Sequence, residues 1–467
     1  MNQSNQKSAK HPTTRLAIHC SPEELMGHLV ESETQKNWIW FDSSLDDGRS
    51  TNQWSFIFAE ASRNEFQTRT EALTFLDELT CEFRANLERS PESLQSTSDS
   101  SPPFTGGALI ALPYEENHAE FPTIITLVEK SFAFHHPSQT WFFTGPSEES
   151  LLKLNLKLNE PTAVANDTAN PVGEINWRSR EAPTLEASHE VYLEKIEACR
   201  ELTRVGECYE LCLTTQFAAQ AKLSSKVFSL YRFLRKRSKA PFSFYWRLNP
   251  KTALLSASPE RFLQIKPTAN KELQILSSPI KGTRKRSTDP HVDGELKKDL
   301  AVNPKDRSEN LMIVDLIRND LGRICKTESV AVPDFLKVES FSTVHQLIST
   351  ITGNLHDDVS LSQVITACFP GGSMTGAPKI RSMQHLAKIE GRPRGYYSGI
   401  VGYASRSGHC DFAMTIRTLL VGQDEISVGA GGAILFESDP ESEWQEVLIK
   451  ANPIIERVNE FVGGVTN

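Results

Sequence analysis

The chain has 467 residues, 39% of them hydrophobic, and 50 Lys and Arg against 59 Asp and Glu give it a formal charge of −9. That length and apolar content exclude a disordered chain, and the acidic balance argues against nucleic acid or an anionic membrane as the main partner. No stretch approaches the roughly 18 apolar residues that span a bilayer, and the polar segment Met1–Pro12 lacks the apolar run of a secretory signal, so a cytosolic protein is expected. The eight cysteines are scattered without a CxxC pair, which predicts buried free thiols and no disulfide framework or zinc site.

In chain order, short aromatic and β-branched runs predict strands at Trp38–Phe41, Trp54–Phe58, Thr105–Ala111 and Thr140–Phe143, with a helix over Thr70–Ser90. Ser90–Pro103 and Asn159–Val172 are rich in Ser, Pro, Thr and Asn and read as loops or linkers. They set off a mainly β region, 1–172, from a second region, 187–467. The second opens with an amphipathic helix over Ser188–Val205, capped by Ser188, and the strand Cys208–Phe217. A helix over Ser225–Arg237 follows, then strands at Phe242–Leu248 and Ala253–Ser256 and one ending at Pro279. The helix Pro304–Leu321 places Leu311, Val314, Ile317 and Leu321 at helical spacing. Without regular βα alternation, the pattern predicts an α+β fold with large, mostly antiparallel sheets.

Five islands carry more glycine and charge than packing needs. Ser258-Pro-Glu-Arg-Phe262 places Glu260 in a turn after an apolar strand, and Pro279-Ile-Lys-Gly-Thr-Arg-Lys-Arg286 puts Lys281 and three further cations within six residues. Alone, each has an ordinary explanation as an ion pair or a solvated charge run. Glu309 stands near the start of the helix after Pro304, where an acid complements the dipole. Pro370-Gly-Gly-Ser-Met-Thr-Gly-Ala-Pro-Lys379 is a glycine-rich loop that contains Thr375 and opens a helix carrying Arg381, a junction suited to an anion. The last island joins Asp411–Arg417, the strand Gly429-Ala-Gly-Gly-Ala433 and a helix Pro440–Lys450 on which Glu443, Glu446 and Lys450 share a face. Together they supply a lysine nucleophile, a carboxylic acid, two helix-borne glutamates suited to Mg²⁺, and cationic or amide groups for a small dianion.

In this order, over Ser188–Val465, the islands resemble the chorismate-utilising enzymes, a family that includes anthranilate, isochorismate and salicylate synthases. The resemblance implies one anthranilate-synthase-type α/β sandwich of large antiparallel sheets flanked by helices, with the first region woven into it. It implies chorismate as substrate and Mg²⁺ held by Glu309 and Glu446, opposite the ring carboxylate. Arg417 and Tyr403 would bind the enolpyruvyl carboxylate, and the amides of Gly429, Gly431, Gly432 and Ala433 the ring carboxylate. His345 and Thr375 also match active-site positions of the family.

The residue after Pro279-Ile280 separates the family's reactions. Members that add ammonia or water at C2 of chorismate have Ala there; the branch that makes 4-amino-4-deoxychorismate, on the route to p-aminobenzoate, has Lys, and this chain has Lys281. The resemblance therefore implies attack by Lys281 at C2 as the C4 hydroxyl leaves, then ammonia attack at C4 that expels the lysine. Glu260 would protonate the departing hydroxyl, with burial raising its pKa, while the sign of the Lys281 shift stays open. Glu210 stands where bacterial relatives show Gln and the water-activating members show Lys, and a structural carboxylate is favoured over a proton carrier. No glutaminase nucleophile segment is present, so a separate glutamine amidotransferase subunit is implied as the ammonia source. Anthranilate synthesis and a non-catalytic chorismate- or tryptophan-binding regulator are the alternatives.

Overall fold

The computed structural model describes residues 13–32, 37–43, 53–89, 101–147, 175–182, 184–223, 225–341 and 344–463. The expected loop Asn159–Val172, most of Ser90–Pro103 and the segment Met1–Pro12 lie outside them.

Among the described residues, twenty strands join through antiparallel pairings into one continuous sheet system. The order can be followed from strand Glu210–Gln220, which pairs with Glu425–Ile434, then Thr418–Val421, Thr252–Ser258 and Phe242–Asn249. Phe242–Asn249 accepts Trp38–Asp42 from the first region. The path continues through Trp54–Phe66, Thr123–His135 and Gly107–Leu112, and returns to the second region at Ile400–Ser405. It ends through Cys410–Met414, Arg261–Pro267, Leu273–Ser277 and Val344–Asn354. Strands of the first region thus bridge two parts of the second.

Alternation along these strands creates three cores. On Thr252–Ser258, Leu254 turns inward while Ala253 and Leu255 turn outward; on Gly107–Leu112, Leu109 and Ala111 turn inward while Ala108, Ile110 and Leu112 turn outward. The inward residues meet Phe56, Phe58, Phe104, Trp246 and Tyr403 in an aromatic core between the two halves of the sheet. One outer face is covered by helices including Leu185–Arg204 and Pro440–Val462, through Tyr192, Ile196, Val447 and Val458. The other is covered by Arg69–Arg89, Pro304–Gly322 and Leu361–Cys368. This is the expected α+β sandwich of antiparallel sheets flanked by helices.

Local differences have physical causes. The helix expected at Ser188 starts at Leu185, because Thr184 caps it by accepting from Ala187 N; Ser188 is buried and donates to the Thr184 carbonyl at 2.7 Å. On Pro304–Gly322 the buried stripe runs through Ile313, Val314 and Leu321, and Leu311 faces solvent at 52% exposure. The last helix does not stop at Lys450 but runs through Pro453 to Val462, because Ile454, Val458 and Phe461 are buried beyond it. Strand Thr123–His135 was not expected, since Glu129 and Lys130 interrupt its apolar alternation where the ladder with Trp54–Phe66 shifts register. All eight cysteines are free and six are buried; Cys81 is exposed. No described helix is long and apolar enough to cross a membrane.

Candidate active site

The site forms where four elements end together. Strand Glu210–Gln220 begins with Glu210, which is fully buried and pairs across to Ala377 of the glycine-rich loop. Strand Ile280–Lys285 brings Lys281 against it, with Nζ 3.1 Å from Glu210 Oε1 and 3.6 Å from Glu309 Oε2. Gly282 follows at φ +86°, where a Cβ would strike Asp306 and Leu300, so only glycine lets the strand pass this close to the helix. That helix, Pro304–Gly322, is capped by Asn303 through Asp306 N and carries Lys305 and Glu309 in its first turns. The fourth element, Pro440–Val462, is capped by Asp439 and projects Glu443, Glu446 and Lys450.

The charges interlock. Lys305 Nζ lies 2.9 Å from Glu443 Oε1 and 3.9 Å from Glu309 Oε1. Lys450 Nζ donates to Glu446 Oε1 at 2.6 Å and to the Gly431 carbonyl at 2.8 Å. Ser438 donates to Glu443 Oε1 at 2.7 Å. Two carboxylate oxygens in this buried cluster have no partner, Glu210 Oε2 and Glu443 Oε2. A Cβ on Gly432 would fall 3.3 Å from Glu443 Oε2 and 3.7 Å from Glu446 Oε1, so the glycine lets the strand backbone approach both acids with no side chain pressed against them.

Burial pulls the Lys281 ammonium toward neutrality, but Glu210 and then Glu309 outweigh it and hold its pKa above the ordinary lysine value. The sign left open by the sequence is therefore upward. Arg284 and Arg286 do not bear on it, because Arg284 pairs with Asp299 and Asp306, and Arg286 with Asp293. Burial raises Glu309, with Glu210 and Glu446 adding to the shift against Lys281 and Lys305. Glu446 is also penalised by burial, yet Lys450, Lys305 and Lys281 bring it below the usual carboxyl value.

Glu260 stands apart from this crowd. It is 8% exposed, and burial pushes its carboxyl up to about 7 against the opposing pull of Ser373, Lys281 and Lys450. Ser373 Oγ, from the glycine-rich loop, donates to its Oε1 at 3.0 Å. Behind the carboxyl, Ser277, Pro279, Asp320, Cys368, Gly371 and Ser373 line a small cavity. A carboxylic acid that keeps its proton near neutral pH is suited to general-acid work.

Arg417 occupies the left-handed region at φ +49°, an uncommon backbone for a non-glycine residue. Among the described residues no acid lies within ion-pair distance of its guanidinium. Burial lowers its pKa, with Tyr397 opposing. The Tyr397 ring also crosses strand Glu425–Ile434, since a Cβ on Gly429 would fall 2.2 Å from its Cγ.

Three expected site residues are placed differently. Tyr403 points into the aromatic core against Phe56 and Phe104, because alternation on strand Ile400–Ser405 turns it inward; Tyr397 is the tyrosine beside Arg417. His345 is 2% exposed with both ring nitrogens engaged, by Ser340 at 2.8 Å and Asp293 at 3.1 Å. Thr375 is buried and donates to the carbonyls of Gly371 and Gly372, which fixes the loop rather than presenting a hydroxyl. Arg381 leaves the loop for Glu207 on the surface. Gly429, Gly431, Gly432 and Ala433 all pair with strand Glu210–Gln220, so only their alternate backbone groups, on the edge beyond Val428 that strand Thr418–Val421 does not cover, stay outside that ladder. The sequence did not single out Lys305, Ser373 or Tyr397. The available signals were Ser373's place inside the glycine-rich island and the Tyr396-Tyr397 pair that follows Gly395.

Among the described residues no three His, Cys, Asp or Glu side chains converge in metal-ligand geometry. The donor set still suits a hard cation: among the described residues the cations paired with Glu210, Glu309, Glu443 and Glu446 are Lys281, Lys305 and Lys450, and one oxygen of Glu443 is orphaned. Mg²⁺ is commonly held by one or two carboxylates together with water and substrate oxygens.

A family model described as chorismate binding enzyme matches residues 47–456. The aminodeoxychorismate synthase of Streptomyces pristinaespiralis is 46% identical over 275 residues, 59% of this chain and 37% of that protein. The aminodeoxychorismate synthase component 1 of Escherichia coli (strain K12) is 41% identical over 273 residues, 58% of each. The anthranilate synthase component 1 of Bacillus pumilus is 30% identical over 464 residues, 92% of this chain and 89% of that one. The chain spans between about a third and three fifths of the length of the aminodeoxychorismate synthases it matches. In fold, it superposes on a crystal structure of anthranilate synthase component I from Streptococcus pneumoniae with a TM-score of 0.70 and 24% identity, over 87% of this chain and 93% of that one.

Proposed function

The chain belongs to the chorismate-binding enzyme family, and from that premise we propose that it aminates chorismate at C4, making 4-amino-4-deoxychorismate with ammonia from a separate glutamine amidotransferase subunit. The observation that carries this reading is Lys281: a buried primary amine held between Glu210 and Glu309, near enough to act electrostatically on Glu260, a carboxylic acid that keeps its proton to about pH 7.

The chemistry follows from those groups. Lys281 must lose a proton before it attacks, and Glu210 Oε1 is the acceptor within hydrogen-bond reach. The neutral amine forms a bond to C2 as both double bonds of the conjugated ring diene shift round the ring toward C4 and the C4 oxygen leaves; Glu260 gives that oxygen its proton, so water departs. Ammonia then bonds to C4, both double bonds shift back and Lys281 leaves C2, the surplus proton of the new amine returning to a carboxylate. Splitting the displacement in two replaces one hard step with two easier ones. Arg417, unpaired by acids, suits the enolpyruvyl carboxylate, and the open-edge backbone groups of Gly429–Ala433 suit the ring carboxylate. Glu309 and Glu446 would hold Mg²⁺, which when bound supplies counter-charge to that ring carboxylate. A cytosolic location is part of the same reading, on the acidic balance of the chain.

Anthranilate formation is the second reading, favoured by the long match to the Bacillus pumilus protein. Lys281 weighs against it, because its side chain fills the place ammonia would need at C2. Incubating the chain with chorismate, Mg²⁺ and an ammonium salt decides between them by product mass. A 4-amino compound that retains the enolpyruvyl group supports C4 amination, and anthranilate with released pyruvate overturns it.

A further inference from the structure

Lys305 is out of place by local rules. It is the second residue of helix Pro304–Gly322, where unpaired N–H groups and the helix dipole disfavour a cation. Its stem does not simply extend into water. The ammonium reaches across to a different helix, 2.9 Å from Glu443 Oε1, and comes within 3.9 Å of Glu309 Oε1 on its own. Glu443 is 2% exposed, and its second oxygen, facing Gly432, has no hydrogen-bond partner among the described residues. The Lys305 side chain itself is 46% exposed, so it can withdraw into solvent without moving any buried group.

We propose that Lys305 is a tethered stand-in cation: its ammonium neutralises Glu309 and Glu443 while no metal ion is bound, and it must withdraw when a divalent cation enters. The inference rests on the reading that this acid cluster takes Mg²⁺. Without Lys305, four carboxylates would face only Lys281 and Lys450, and the metal-free cluster would be strongly self-repelling. With it, part of that excess negative charge is offset at the cost of metal affinity, since Mg²⁺ must displace a charge already seated a hydrogen bond away.

The test is calorimetric titration of MgCl₂ into the metal-free chain at low ionic strength, without chorismate, for wild type, Lys305→Met, Lys305→Gln and Lys305→Arg. Tm is measured on each in EDTA and in saturating Mg²⁺. Both neutral variants should bind Mg²⁺ about tenfold more tightly than wild type, a figure discounted for the partial exposure of the pair. Lys305→Arg should stay within about twofold, because the charge is kept. Mg²⁺ should raise the Tm of the neutral variants more than that of wild type. Detectable binding by the neutral variants alone supports the inference as well. If wild type binds Mg²⁺ and the neutral variants bind it equally or more weakly, Lys305 is not a competitor and the inference falls while the metal reading stands. If no chain binds Mg²⁺, the metal reading fails and takes this inference with it.

Discussion

Strand Glu210–Gln220 carries two buried charge clusters that follow opposite rules. At Thr214 the cluster is closed: Arg394, 1% exposed, donates to both oxygens of Glu390 at 2.7 and 2.9 Å and to the carbonyls of Met374 and Cys212. Glu390 in turn accepts from Thr214 N and Oγ1, both at 2.9 Å, and no polar side-chain atom of Glu390 or Arg394 is left over. Four residues earlier, at Glu210, the cluster is open, with two orphaned carboxylate oxygens and more acids than lysines. A buried network that satisfies itself specifies structure; one that cannot is completed by something else. Energy alone does not separate the two, since both bury paired charges, but the count of unpaired atoms does.

The sharpest way to break this comparison is at Lys281. If its ammonium only balances charge, as Arg394 does, Lys281→Arg keeps the charge and should keep most activity. If it is the nucleophile, a guanidinium that stays protonated cannot attack carbon, and amination should fall by roughly 10⁴-fold or more with Tm little changed. Lys281→Ala should shift residual product toward C2-substituted compounds, read by mass. Retained C4 amination in the Ala variant would end the covalent mechanism.

The closed cluster makes the complementary prediction. Arg394→Met leaves Glu390 buried without its partner, and removing one member of such a pair costs about 3–5 kcal/mol. Chemical unfolding should therefore show a large loss of stability, while the folded fraction retains its kcat. A stable Arg394→Met chain with impaired turnover would place Arg394 in the catalytic machinery and erase the distinction between the clusters.

How far the sequence disclosed these clusters depends on the range of the forces involved. Strands and helices with periodic apolar residues were legible, because alternation and helical spacing are local. Lys281, Glu260, Glu309 and Glu446 were legible as motif positions within the family resemblance. Lys305 was not, since a lysine in a first helical turn reads as solvated until a helix 138 residues away brings Glu443 to it. Tyr403 was misplaced because the motif does not say which face of the strand it occupies, and one step of alternation separates the aromatic core from the pocket. The Glu390–Arg394 pair, ordinary i, i+4 spacing on paper, showed its burial only in three dimensions.

Glu309 allows a subtler test, because in an open cluster function and stability should oppose each other. Burial together with Glu210 and Glu446 raises its pKa, so carrying its charge at neutral pH costs stability in the free protein. Glu309→Gln should raise Tm near pH 8 and, on the proposed Mg²⁺ role of Glu309, lower amination about 100-fold through loss of the metal's counter-charge. In the closed cluster the equivalent change, Glu390→Gln, should lower Tm. Two variants with shifts of the same sign would show that the clusters do not differ in kind.

The smallest effect is spread over pH. Glu260 is held near 7 instead of the ordinary 4.5, chiefly by burial, and only its protonated form can serve the departing C4 oxygen. The kcat/KM for C4 amination should therefore fall about tenfold per pH unit above roughly 7, provided the free ammonia concentration is held constant. Stability has the same sign. A carboxyl whose folded pKa is raised holds its proton more tightly when folded, so its contribution is full below about 4.5 and lost as pH rises to about 7, at roughly 1.4 kcal/mol per unit. Glu260→Gln removes the titrating group but keeps the shape, so it should flatten both profiles: activity low at every pH, and the difference in Tm from wild type growing across that window and then constant. Ser373→Ala sharpens the assignment, since loss of the hydrogen bond that favours the charged form should move the alkaline limb upward in pH. An alkaline limb unmoved by Ser373→Ala and still present in Glu260→Gln would belong to another group, and the acid at C4 would have to be sought elsewhere in the pocket.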